Sequence, residues 1–157
     1  LTPSPARVEA ACPLFTRCGG CHYQHAPYPF QLSTKAEILR EQLRRVGKVD
    51  YQGEIETISG PSLGYRNRVQ LHIENGHLGY LRPRSHRLVA LDGECPIASP
   101  RLNQAIAEMR DRLSDRQFPR FVKSLELFTN ETDVQVNVLE SDQPSGHGDH
   151  RARPLCG

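Results

Sequence analysis

From residue 12 the chain reads "CPLFTRCGGCHYQH", which places Cys12, Cys18 and Cys21 within ten residues of one another. Only Cys95 and Cys156 follow in the remaining sequence. Cysteine used this way is neither an even, distributed disulfide framework nor a scatter of buried thiols, and it reads as a metal or catalytic use in a reduced, cytosolic compartment. The C-x5-C-x2-C spacing departs from the paired knuckles of ordinary zinc sites. A four-iron, four-sulfide cluster asks for four thiolates at the corners of a cube, and a compact loop can wrap three of them. Gly19 and Gly20 suit such a loop, since glycine permits close backbone approach and positive φ. Cys95, in "GECPIAS", is the candidate fourth ligand. A zinc-stapled structural domain and a set of unrelated thiols stay open as alternatives on spacing alone.

The rest of the chain predicts an α+β fold with a mainly antiparallel sheet and two helices. In "FQLSTKAEILREQLRRVGK", Leu32, Ala36, Leu39, Leu43 and Val46 recur at helical spacing, and Gly47 is placed to stop the helix. Val69, Leu71 and Ile73 alternate with Arg68, Gln70 and His72, the period of a half-buried strand. Asn75-Gly76 predicts a tight hairpin, because a type I′ turn needs positive φ at both central residues. Leu78 to Leu81 returns, and "HRLVAL" supplies a third strand. Ser99-Pro100 is a helix start, followed by a stripe of Leu102, Ile106, Met109 and Leu113. "VKSLELFTNETDVQVNVLE" predicts two strands about an Asn130–Asp133 turn, with Val134, Val136 and Val138 on one face. The segments are 1–30, lead-in and cysteine loop; 31–139, the α+β body; and 140–157, a disordered tail or truncated linker. A length of 157 residues with 37% hydrophobic content is enough for one core. No apolar run approaches the roughly 20 residues of a membrane span, and no signal core is visible at the start.

Net charge is only +2, but residues 61–90 hold Arg66, Arg68, Arg82, Arg84 and Arg87 against one acid, Glu74. Strand parity sends Arg66 and Arg68 to the polar face, with Tyr65 at the strand's start available to stack on a base. Arg82, Arg84 and His86 follow the hairpin and come back toward the same end. A phosphate-binding strip for RNA is the sharper reading, and ion pairs with Glu74, Asp92 or Glu94 the plainer one. His22, His25, His147 and His150 lack paired ligand spacing and read as solvated or capping groups.

"CPLFTRCGGCHYQHAPYPFQLSTKAEILREQLRRVG", "GYRNRVQLHI" and "GHLGYLRPRSHRLVALDGECPIASPRLN" together resemble the iron–sulfur RNA uracil-5-methyltransferases, over residues 12 to about 139. The resemblance implies that Cys12, Cys18, Cys21 and Cys95 bind a 4Fe-4S cluster. It implies methylation of C5 of a uridine, in ribosomal RNA ahead of transfer RNA, with S-adenosylmethionine as donor. It makes Tyr65, Arg66, Arg68, Arg82, Arg84 and His86 the candidate RNA contacts. Family members place the donor site, a nucleophilic cysteine in a Ser-Cys-Asn-Pro context and a catalytic base in a following Rossmann-like domain. No such pattern is read here, and Cys156, in "LCG", matches it only faintly. The expectation is therefore a cytoplasmic, cluster-bearing RNA-binding domain with no catalytic residue of its own, served by a methyltransferase domain in cis or in trans. A stand-alone, non-catalytic RNA-binding module is the rival.

Overall fold

The computed structural model describes residue 2 and residues 4–142. In chain order the elements are α1 (Tyr28–Arg45), β1 (Arg68–Glu74), β2 (His77–Leu81), β3 (Leu88–Ala90), α2 (Pro100–Arg112), β4 (Val122–Thr129) and β5 (Val134–Ser141). The five strands form one sheet in the order β3-β2-β1-β4-β5, and every neighbouring pair is antiparallel. The α+β class follows directly.

The period-two pattern of β1 does what alternation requires: Val69 and Leu71 are buried while Arg68 and Gln70 are exposed. The hairpin turns at Asn75 (φ 52°) and Gly76 (φ 78°), so Glu74 faces His77 and Ile73 faces Leu78. On the other side of β1, Val69 pairs with Leu127 and Leu71 with Leu125. One sheet face is therefore a continuous apolar layer, and α2 covers it with Leu102, Ala105 and Ile106. Ser99 caps α2 by accepting the Leu102 amide at 3.3 Å, with Pro100 at the first turn. Leu71, Leu102, Leu125 and Leu127 are fully buried, and burying each such side chain contributes about 1.5–3 kcal/mol.

Three expectations need correction. The stripe of α1 is not core: none of its residues is buried, and Leu39 and Val46 are 48% and 75% exposed. The sheet has one apolar face and α2 already occupies it. Gly47 is not the left-handed residue after α1; Lys48 is, with φ 56°. What Gly47 supplies is clearance, since a Cβ there would meet the Leu43 carbonyl oxygen at 2.8 Å. Val134, Val136 and Val138 do share one face, opposite Thr129, Leu127 and Leu125 of β4, although Val138 is 57% exposed because β5 is the edge strand. β5 also reaches Ser141, so strand pairing enters the segment assigned to a tail. The rest of that tail, with Cys156, His147 and His150, lies outside the described residues. Among the described residues no helix is long and apolar enough to cross a membrane.

Candidate metal centre and nucleic-acid interface

The cysteine stretch folds as successive turns. Phe15 N–H donates to the Cys12 carbonyl at 3.0 Å and Cys18 N–H to the Leu14 carbonyl at 2.9 Å. The positive φ in this loop falls on Thr16, at 71°, and not on Gly19 or Gly20. Those glycines serve close approach instead. Gly19 donates its amide to the Leu81 carbonyl at 3.0 Å. A Cβ on Gly20 would stand 3.4 Å from Cys18 Sγ and 3.8 Å from Arg66 Nη1.

Cys95 approaches from the segment between β3 and α2. Asn103 on α2 holds that segment from both sides, accepting from the Cys95 amide at 2.9 Å and donating to the Cys95 carbonyl at 3.1 Å and the Ala98 carbonyl at 3.3 Å. The segment also runs beside residues 64–66, with Arg66 N–H on the Ile97 carbonyl at 2.8 Å and Ser99 N–H on the Arg66 carbonyl at 2.8 Å.

As a result, Cys12, Cys18, Cys21 and Cys95 wall a single cavity together with Gln24, Arg66 and Tyr80. All four thiols are free of disulfides. Leu14, Phe15, Leu91 and Ile97 make the rest of the wall apolar. Gln24 links two corners: its Oε1 accepts from the Cys12 amide at 3.0 Å and its Nε2 donates to Cys21 Sγ at 3.3 Å. Gly20 N–H donates to Cys18 Sγ at 3.3 Å.

Burial pushes the Cys18 thiol up from its ordinary value, opposed by the Gly20 amide. Burial also raises Cys21, opposed first by the Gln24 amide and then by the Arg66 charge. A thiol becomes a ligand when a bound cation displaces its proton. Among the described residues, no three His, Cys, Asp or Glu side chains converge closely enough to hold a single metal ion.

The structure divides the arginine strip. Arg66 does not project from the polar face with Arg68. It is half-buried and lies against the cysteines, because at this residue the chain pairs with the Cys95 segment through a parallel bridge to Ala98 and no longer follows β4. Tyr65 is 55% exposed and lines an open groove with Tyr23, Tyr28 and Lys35 that shares Gly20, Cys21 and Gln24 with the cysteine cavity. Arg68 stays on the outer face, 67% exposed, in an ion pair with Glu126 at 2.6 Å. Its partner is the facing strand's acid and none of Glu74, Asp92 or Glu94. Asn137 adds a hydrogen bond to Glu126 at 3.3 Å.

Arg82, Arg84 and His86 are all exposed in the loop joining β2 to β3, which closes through Arg82 N–H on the Arg87 carbonyl at 3.0 Å. The register His72↔Gly79 sets that loop at the same end of the sheet as Tyr65 and Arg68. His22 flanks the same groove, while His25 packs its ring against Phe15 at 5.6 Å between centroids.

Sequence reasoning missed Gln24, Tyr80 and Asn103. Tyr80 was within reach, since it shares strand parity with Leu78 and so faces inward from β2. Asn103 sits one residue after Leu102 in the stripe of α2 and carries no separate signal. Gln24 lies three residues beyond Cys21, and nothing in its spacing marks it.

No family model matches the chain. Individual proteins do. An uncharacterized RNA methyltransferase of Aquifex aeolicus is 41% identical over 116 residues, covering 72% of this chain and 27% of that protein. The 23S rRNA (uracil(1939)-C(5))-methyltransferase RlmD of Pectobacterium atrosepticum is 35% identical over 158 residues, covering 97% of this chain and 34% of the relative. The RlmD of Halomonas elongata is 34% identical, covering 89% of this chain and 30% of its own length. The chain thus spans about a third or less of the relatives it matches. On this likeness and on the fold that carries the matched residues, the chain belongs to the family of RNA methyltransferases that includes the 23S rRNA uracil-C5 enzymes.

Proposed function

We propose that this chain is the cluster-bearing, RNA-positioning part of an RNA uracil-C5 methyltransferase acting on ribosomal RNA in the cytoplasm. S-adenosylmethionine and the catalytic groups belong, in this reading, to a further domain in cis or in trans. One observation carries it: Cys12, Cys18 and Cys21 meet the sequence-distant Cys95 in one apolar-walled cavity.

The donor set is four thiols, which suits soft metals and iron–sulfur groups. A single zinc ion, with Zn–S near 2.3 Å, would draw four sulfurs to within about 4 Å of one another. Gly20 leaves room at the loop, and the Gly20 and Gln24 N–H groups already aim at sulfur. When bound, such a cluster supplies a covalent tie between the loop and the Cys95 segment. Both segments border the groove and edge where Tyr65, Arg68, Arg82, Arg84 and His86 are set out, so the tie orients the surface that meets RNA.

Anaerobic purification followed by iron, sulfide and zinc analysis tests the reading. About four irons and four labile sulfides per chain are expected, with loss of both in Cys95→Ser. Stoichiometric zinc without sulfide overturns it.

A further inference from the structure

We propose that Tyr80 donates a hydrogen bond from its hydroxyl to a sulfur of the iron–sulfur group, with the Arg66 guanidinium as the adjacent positive charge, and that the pair raises the group's reduction potential. The inference rests on the cluster reading above and concerns two residues that reading does not use.

The Tyr80 hydroxyl is the one buried side-chain polar atom without a hydrogen-bond partner among the described residues. Buried hydroxyls are seldom left unpaired, because losing water without gaining a partner is costly. This one opens into the cavity of the four cysteines. Leu14, Phe15, Leu91 and Ile97 make the apolar part of the wall, against which a phenylalanine would pack without an orphaned atom. A phenol carries its proton at neutral pH and is therefore a donor, and the group that stands next to this hydroxyl is the Cys95 thiol.

The existing donors leave a place for it. Cys18 Sγ receives the Gly20 amide and Cys21 Sγ the Gln24 side chain. The hydroxyl stands on the Cys95 side of the cavity, where no N–H is aimed at sulfur among the described residues. Arg66 is half-buried beside Cys21, and no ion pair among the described residues engages it. Hydrogen bonds to sulfur and a nearby cation both favour the more negative, reduced form, which moves the potential upward.

The test is an anaerobic redox titration, followed by electron paramagnetic resonance, of the full chain and three variants: Tyr80→Phe, Arg66→Gln and, as a control, Tyr51→Phe, whose hydroxyl bonds the Glu54 carbonyl in an exposed loop. Expected are parental iron and sulfide in Tyr80→Phe with a midpoint moved to more negative potential, a negative shift in Arg66→Gln, and no shift in Tyr51→Phe. A parental midpoint in a fully loaded Tyr80→Phe overturns the proposal. If Tyr80→Phe does not load, uniform 3-fluorotyrosine labelling of the parent, which makes the phenol a stronger donor and keeps the hydroxyl, is expected to raise the midpoint; no change there overturns the proposal as well. Parent protein that binds no iron and sulfide defeats the cluster reading itself, an outcome visible before any potential is measured.

Discussion

The amide of Gly19 donates to the carbonyl of Leu81 at 3.0 Å, which fastens the middle of the cysteine loop to the last residue of β2, one position beyond Tyr80. The bond ties a loop with little secondary structure to the end of an interior strand of the sheet. A Cβ on Gly19 would meet the same carbonyl oxygen at 3.1 Å. Alanine requires a shift of a few tenths of an ångström, whereas a branched side chain adds atoms where backbone already stands. Gly19→Val is expected to destabilise the protein by about 1–3 kcal/mol, the range for overpacking, and to lower iron retention more than Gly19→Ala. Denaturant unfolding and iron analysis of the two variants check this. Equal iron retention in both would mean the loop is not held through this contact.

Asn103 does for Cys95 what Gly19 does for the loop. Its side chain pairs both the amide and the carbonyl of Cys95, so Asn103→Ala leaves the amide of a buried residue without its partner. A buried group left unsatisfied costs about 1–3 kcal/mol. The variant is expected to lose stability of that order and, under the proposed cluster function, to release iron to a chelator faster than the parent. Ser99→Ala, which removes the cap of the same helix, is expected to cost about 1 kcal/mol with a smaller effect on iron, because the Cys95 backbone stays paired.

The contrast between these residues shows where sequence is informative. The sheet was legible because β1 and its hairpin obey local rules: alternation buries Val69 and Leu71, and Asn75-Gly76 takes the positive φ values the turn demands. The clustering of Cys12, Cys18 and Cys21 was visible in the sequence, and the fold brings the distant Cys95 to line the same cavity. Arg66 was not. Its parity was read from β1, but its backbone pairs with the Cys95 segment, a contact between distant parts of the chain. The stripe of α1 fails for a related reason. Period 3.6 marks a face fit for burial, but whether anything covers it depends on how many apolar sheet faces exist, and α2 takes the one available.

The Arg68–Glu126 pair carries a pH signature. The hydrogen bond from Arg68 holds the Glu126 carboxyl below its ordinary value, with Asn137 assisting. A carboxyl whose folded pKa is depressed stabilises the fold above the unfolded value, and the contribution is lost as pH falls through the folded pKa. Glu126→Gln is therefore expected to melt lower than the parent at neutral pH. The two melting temperatures should converge as pH falls below the usual carboxylate range, about 3.9–4.3. A gap that persists unchanged into acid would assign the loss to packing and not to charge. Because the pair is exposed on the side of Arg68, salt should narrow the gap as well.

The same pair sets the order of effects expected for RNA. Arg82 and Arg84 are exposed on the loop after β2, with no ion pair among the described residues, so their charge is available to phosphate. Arg68 stands at the same end of the sheet but is already engaged by Glu126. Each phosphate contact to a single strand contributes roughly 0.7 to the slope of log affinity against log salt. Arg82→Ala/Arg84→Ala is expected to flatten that slope by roughly 1.4, by the same rule, and to weaken binding of an RNA stem-loop most at low salt. Arg68→Ala should do less, and Glu126→Gln, which frees Arg68, should strengthen binding. Arg40 and Arg44 on α1 are paired with Glu37 and Glu41, so replacing both by alanine should leave the slope nearly unchanged. A parental slope in Arg82→Ala/Arg84→Ala, or an equal loss in the α1 pair, would overturn the proposal that this end of the sheet contacts RNA.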